Sequence, residues 1–424
     1  MKRKQSIKLL CIMLFLPVQL LVAQETVTLE KCQTWARENH PVLKQLEIYQ
    51  QIMVLKNDNN STSYLPQLNL NGQATWQSDV TQLPIKIPGM TIPTMSKDQY
   101  KIYLDLRQTI WDGGLSKAKE LVNEAENAGN QQQVEVELYQ VKEKVNQFFF
   151  TSFLIQENLK ILNKKIETLS ERRKILESAV NNGLVLSSEL DQLQAELINT
   201  GQLIIELKSN RITILSALAI LTGKTNDQLQ NLAISEVPSI SNQPLNRPEL
   251  LLFSKQNELL DANSTILQKQ RNPKFFGFGQ AGYGKPGLNM LNNEFNDYYM
   301  VGVGFNWNVL DWKTTQRQKQ MLKFQQDIVQ TKQANFVRNI DLATDQEKNQ
   351  IAQYEELIKS DQELIQVRER ITKTSSSKLE NGSITTADYI QDLNAETMAR
   401  LMLETHKIKL NEAWINLGNI RGTQ

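Results

Sequence analysis

The sequence predicts an α+β chain in which long coiled-coil helices carry four short strands, arranged as two internal repeats. Three observations lead there. Heptad-spaced apolar residues run much further than in an ordinary globular helix. Runs of about ten residues alternate between apolar and polar, and blocks of residues recur in the same order in both halves. The composition agrees: 424 residues with 40 % hydrophobic and 22 % charged can bury a large core, which excludes disorder. Lys+Arg 47 against Asp+Glu 46 gives no electrostatic reason to expect nucleic acid. No apolar run reaches the ~18 residues of a spanning helix, so a polytopic helical membrane protein is excluded. Two Cys and two His leave little for metal or thiol chemistry, and no cofactor or metal is expected.

The chain opens with Lys2, Arg3, Lys4 and Lys8 ahead of the apolar run Leu9 to Leu16, and Leu20-Leu21-Val22-Ala23 ends in a small residue. Residues 1–23 therefore read as a secretory signal cut after Ala23, and the exported chain carries a slight acidic excess. Cys32 would be its only thiol, so no intramolecular disulfide forms. Cys32 follows Glu30-Lys31 and Cys11 lies inside the apolar run, so neither suits a lipid anchor.

The repeats are read as 24–223 and 246–424, joined by a linker at 224–245. Asn39-His40-Pro41-Val42-Leu43 matches Asn246-Arg247-Pro248-Glu249-Leu250, and the same offset carries Pro66, Gly72, Gln73, Ala74 and Trp76 onto Pro273, Gly279, Gln280, Ala281 and Tyr283. A shorter offset then places Tyr100, Leu106, Ile110 and Asp112 on Tyr299, Phe305, Val309 and Asp311, and Asn182-Gly183 on Asn381-Gly382. The difference falls in the Pro-containing stretch 78–98, which reads as a loop.

A first helix spans 29–61. Strands follow at 67–77, where Leu68, Leu70, Gly72, Ala74 and Trp76 share one face, and at 99–110, where Tyr100, Ile102, Leu104, Leu106 and Ile110 do. The second pair lies at 275–283 and 298–309; in the former, Phe276 and Phe278 fall on the nominally polar side. Alternation alone suits a half-buried soluble sheet as well as a barrel strand with lipid outside and water inside. Trp76, Trp111, Trp307 and Trp312 at strand ends, where interfacial aromatics belong, favour the membrane. The long helix 114–181 keeps a 3-4 spacing from Val134 through Leu138, Val141 and Val145 to Leu176 and Val180, the pattern of a left-handed coiled coil, and spans ~100 Å. The return helix 187–222 is about half as long, so the long helix lies beside it and the first helix stacked end to end. Four strands do not close a membrane barrel and open edges in lipid are forbidden, so the chain is expected to oligomerise.

These residues resemble the TolC family of trimeric outer-membrane channels over essentially the whole exported chain. The carriers are Thr28-Leu29-Glu30-Lys31-Cys32 opening the first helix, Tyr64-Leu65-Pro66-Gln67-Leu68 entering the first strand, and Trp111-Asp112-Gly113-Gly114 leaving the second. Asn246-Arg247-Pro248-Glu249-Leu250 opens the second unit. The tip motifs are Asn182-Gly183 through Glu189 to Leu193 and Ala195, and Asn381-Gly382 through Asp388 to Leu393 and Ala395. The resemblance implies a homotrimer with a shared twelve-stranded β-barrel in the outer membrane of a Gram-negative cell and a helical barrel in the periplasm. It further implies a periplasmic adaptor (membrane fusion) protein and an inner-membrane pump as partners, with the channel as their passive exit duct. This chain departs from the pattern at Asp311-Trp312-Lys313, where Asp-Gly-Gly is expected, and by one extra residue between Asp388 and Leu393.

No nucleophile–base pair or phosphate-binding glycine loop is present, and His40 and His406 read as structural, so an enzyme is not expected. Gly277, Gly279, Gly282 and Gly284 read as strand or loop glycines permitting close backbone approach. Asp112 and Asp311 stand where a strand becomes a helix and read as helix caps. Thr385 with Asp388, and Ser188 with Asp191, fit capping boxes. Alternatively Asp388 and Asp392, four apart on one face, together with Glu189, form an acidic gate ring at the tunnel mouth. Gly183, Ser187, Gly382 and Thr385 are the expected adaptor-contact positions at the tips. An exported soluble coiled-coil scaffold or adaptor is the alternative to a channel, and would have no use for lipid-facing strands ended by Trp.

Overall fold

A computed structural model describes residues 26–81, 84, 94–234 and 244–423. The segment read as a signal peptide, most of the 78–98 loop and 235–243 of the linker lie outside the described residues. The element order is α1 (Leu29–Asn39), α2 (Lys44–Ser61), β1 (Gln67–Trp76), β2 (Asp98–Trp111), α3 (Leu115–Asn181), α4 (Ser187–Thr222), α5 (Pro248–Lys269), β3 (Lys274–Lys285), β4 (Asn296–Asn306), α6 (Thr314–Glu380) and α7 (Thr386–Arg421). The order helix, strand, strand, long helix, return helix thus occurs twice. Both long helices have 67 residues and both return helices 36.

The first helix is broken where the sequence reading ran it through. His40 adopts an extended conformation before Pro41, as a residue preceding proline must, and a short 3-10 turn at Pro41–Leu43 leads into α2. α1 begins at Thr28, whose hydroxyl accepts from the Lys31 N–H. Cys32 and Ala36 of α1 pack into the largest core cluster, against Val145, Phe149 and Phe150 of α3 and Leu215 and Leu218 of α4. Burial, with the Glu30 charge nearby, pushes the Cys32 thiol up to about 12. Residues 224–234, within the stretch read as linker, join this layer: Leu229 and Leu232 are buried, and Val27 pairs with Leu232 in a parallel bridge. Arg211, a cation on the apolar stripe of α4, holds this segment by donating to the Gln230 carbonyl at 2.5 Å and to Gln156 at 2.8 Å.

Along α3, Val134, Val141, Ile155, Leu162, Leu169 and Leu176 recur at multiples of seven and all are buried, as a heptad seam requires. α3 packs against α4 towards the tips and against α1 and α2 in its other half, while α5 and α7 cover further sides. At the tip end Leu169 and Leu176 meet Leu193 of α4 and Tyr389 and Leu393 of α7. Among the described residues no helix is long and apolar enough to cross a membrane.

The four strands form one antiparallel sheet in the order β1-β2-β3-β4. β3 runs two residues further than the sequence reading, to Lys285, and β4 ends at Asn306, three residues short of it. Trp307 and Val309 keep the alternation, but without a ladder partner the chain leaves the sheet and turns into α6.

Candidate functional site

The register sorts the sheet into two faces. Leu70, Leu104, Ala281 and Tyr299 lie side by side across all four strands, and so do Leu68, Leu106, Gly279 and Val301. This face is apolar from edge to edge, and Val303 is 81 % and Leu70 68 % exposed. Aromatics mark both of its ends. Tyr100 and Tyr283 stack on Phe295 at the loop end, and Trp111, Phe275 and Phe305 form a chain of ring contacts at the helix end. An irregularity between Thr109 and Trp111 breaks the alternation, so that Trp111 as well as Ile110 reaches the apolar face. From Tyr100 to Trp111 the strand rises ~36 Å, and a tilt of ~35–45° reduces this to a band about 25–30 Å tall, the height of an outer-membrane barrel's apolar belt.

The opposite face is polar: Asn69, Asp105 and Gln280 are neighbours, with Gln280 donating to Asp105 at 2.8 Å. Phe276 and Phe278 do belong to this face. Their rings lie over Gly304 and Gly302 of β4, where an added Cβ would come within 2.6 Å of either ring. The Arg107 guanidinium covers Phe276 at 3.9 Å. These contacts explain why the pattern of β3 is impure: its phenylalanines fill space vacated by glycines on the next strand, which β3 alone does not reveal.

At the strand-to-helix junctions, Asp112 Oδ1 accepts from the N–H groups of Gly114 at 2.8 Å and Leu115 at 3.1 Å and from the Tyr64 hydroxyl at 2.8 Å, while Oδ2 accepts from Ser116 N–H at 2.6 Å. Asp311 accepts from Lys313 N–H at 3.1 Å and Thr315 N–H at 3.0 Å, the same relative positions. Gly113 and Gly114 have φ of 77° and 82°, and Trp312 and Lys313, which replace them in sequence, adopt 51° and 64°. The departure from Asp-Gly-Gly is one of residues and not of backbone, at a cost of about 1–2 kcal/mol for each left-handed side chain.

At the opposite end, both long helices close with a Schellman turn. Gly183 N–H donates to Val180 and Leu184 N–H to Ala179, and Gly382 and Ser383 repeat the pattern on Leu379 and Lys378. Gly183 and Gly382 have φ of 70° and 68°, and nothing lies within 4 Å of a Cβ added to either. Thr385 and Asp388 form a reciprocal capping box at the start of α7. The expected box of Ser188 and Asp191 does not form, because α4 starts at Ser187 and its cap position holds Leu186. Glu189 instead reaches the other unit and accepts from Thr386 N–H at 2.7 Å. Asp388 is exposed, whereas Asp392 accepts a short hydrogen bond from Ser375 on α6. Gly183, Ser187, Gly382 and Thr385 are all exposed. Between the two tips lies a groove of about 590 Å³ that includes Ile175, Leu184, Leu186 and Arg172, the last bridging to Glu380 at 3.1 Å. The sequence reading missed Leu184 and Leu186, 77 % and 74 % exposed; two leucines inside a turn motif were the available signal. His406 is hydrogen-bonded to Asp361 at 2.5 Å, and His40 caps the turn at Val42. Among the described residues no group of His, Cys, Asp and Glu is placed to hold a metal.

No protein-family model and no curated protein matches the chain. Solved structures do. The CmeC outer membrane channel of Campylobacter jejuni is 17 % identical, with 93 % of this chain and 85 % of that one covered at a TM-score of 0.62. The outer membrane protein VceC of Vibrio cholerae is 14 % identical, covering 93 % and 97 % at 0.64. The MtrE outer membrane channel of Neisseria gonorrhoeae, solved in its open state, is 13 % identical, covering 93 % and 90 % at 0.63. CmeC and MtrE are named as outer membrane channels and VceC as an outer membrane protein. From the strands to the helical tips, this chain has the fold of the TolC-type outer-membrane channels.

Proposed function

We propose that three copies of this chain close a twelve-stranded barrel in an outer membrane and continue as a helical tunnel, the passive exit duct of a tripartite efflux or secretion system. The observation that carries this is a four-stranded sheet with one face wholly apolar and, among the described residues, no strand paired to the outer edge of β1 or of β4. In hydrocarbon each unsatisfied backbone group costs several kcal/mol, so two edges of about ten residues are intolerable unless β4 of one copy pairs with β1 of the next. That pairing is antiparallel, as the alternation of strand directions requires. Two copies would make eight strands, whose interior side chains fill; three make twelve and leave a bore.

The helices support the same assembly. Ile198, Ile205 and Ile212 on α4, spaced by sevens, and Met321, Phe324 and Ile328 on α6 are exposed in the single chain; packing between copies would cover them. The 67-residue helices supply ~100 Å of tunnel. The tips at Gly183, Ser187, Gly382 and Thr385, with the leucine-lined groove between them, face a periplasmic adaptor and through it an inner-membrane pump. Asp388 forms the acidic ring at the mouth, and Asp392 and Glu189 lie behind it as structural acceptors. Mass measurement of the detergent-solubilised protein should give three copies, and planar bilayers should record discrete conductance steps. A stable monomer with its full β-structure, or trimers that never conduct, would sink the reading.

A further inference from the structure

One cluster of charge has no part in closure, docking or gating. Arg107, Lys119 and Lys274 line a single cavity of about 480 Å³ where the sheet meets the helices. Arg107 lies late in β2, Lys274 opens β3, and Lys119 stands in the second turn of α3. Lys274 is opposite Asn306 and Arg107 opposite Phe278, so both strand cations belong to the polar face. Neighbouring cations are matched: Lys117 pairs with Glu120 at 3.0 Å, and Arg271 stands 3.8 Å from Asp311. Among the described residues no carboxylate pairs with Arg107, Lys119 or Lys274. The acidic residue on the cavity wall, Asp112, is buried, and its oxygens are already occupied by three backbone N–H groups and the Tyr64 hydroxyl. Three cations against one committed carboxylate leave the cavity positive.

The cavity also has a flat apolar side. The Phe276 ring reaches over Gly304 of the next strand and the Arg107 guanidinium stacks on it at 3.9 Å, so ring and planar cation together form one wall of the cavity. We propose that this cavity binds an organic anion with an aromatic body, an aromatic carboxylate or sulfonate, as it passes from the helical tunnel into the barrel. The two lysines take the charged end and the Phe276–Arg107 stack takes the ring. The inference rests on the reading above, in which the polar face lines the bore and three such cavities encircle it.

The probe is naphthalene-1-sulfonate, applied to the purified full chain in planar bilayers, with inorganic phosphate as an anion lacking the ring. The sulfonate should reduce the current in the parent, and less so as salt is raised. Lys119→Gln with Lys274→Gln leaves the Arg107–Phe276 stack intact and should weaken block roughly ten- to a hundred-fold, the range for losing a hydrogen bond to a charged group. Equal block of parent and double variant overturns the proposal, and equal block by phosphate overturns its aromatic part. The cavity is built from one chain, so titration calorimetry of the solubilised protein with the same probe reads the site even if no current is recorded. Absence of current with sulfonate binding intact would reject the duct alone; absence of binding rejects the anion site.

Discussion

Asp112 and Asp311 show how single carboxylates set the angle at which a strand hands over to a 67-residue helix. Desolvation pushes the Asp112 carboxyl up, but hydrogen bonds from Ser116, Tyr64 and Gly114 outweigh it and hold it below the usual carboxylate range. A carboxyl lowered in this way stabilises the fold at every pH above its unfolded value, and the contribution is lost as pH falls through the lower folded value. Asp112→Asn should therefore lower thermal stability by about 1–2 kcal/mol near neutral pH and make little difference in acid below the folded value, read by circular dichroism. The same deficit at both pH values would mean that shape, and not charge, matters there. Both aspartates were legible because an acidic residue directly before a long helical pattern has few other roles. Glu189 was not: its partner, Thr386 N–H, lies on the other repeat unit, and no local spacing encodes that contact. Ser188 and Asp191 had the right spacing two residues too late, since the cap falls on Leu186.

Among the elements, β1 and β2 occupy the first two alternating runs because both pack their apolar side chains on one face only. β3 blurs the pattern because Phe276 and Phe278 substitute for side chains that Gly304 and Gly302 lack. Gly302→Val should thus drive its side chain into Phe278, whose ring would lie 2.6 Å from the new Cβ, and cost about 1–3 kcal/mol of overpacking. If the proposed trimer forms, the variant should dissociate at lower temperature on gels, and adding Phe278→Ala should restore it. A single variant as heat-resistant as the parent would show that the ring moves away freely. The break between α1 and α2 was written in Pro41 and passed over because apolar residues continue on both sides. What the sequence hid was the layer that α1 forms with residues 224–234, whose contacts with mid-α3 are long-range and set by no period.

On the scale of the whole molecule, the two ends carry different charge chemistry. Thr385 holds the exposed Asp388 carboxyl below its ordinary value through its hydroxyl and its N–H, so the tip stays anionic in mildly acidic surroundings. In the proposed trimer the exposed like charges at the mouth repel one another through solvent, so closure there would be favoured by bound cations and weakened by their removal. Asp388→Asn should reduce divalent block and cation selectivity in bilayer recordings, while Asp392→Asn, whose carboxylate already serves Ser375, should change them little. Unchanged currents in Asp388→Asn would place the constriction elsewhere. The strand order has a consequence in time as well. β2 pairs with β3, joining Leu104 to Ala281 across roughly 180 residues, so the sheet has no complete form until α3, α4 and α5 have been synthesised. Contacts so distant along the chain form slowly, and the apolar hairpin of β1 and β2 must meanwhile wait in water with its far edge open. Biogenesis is then a race between self-association of that hairpin and arrival of its partner strands.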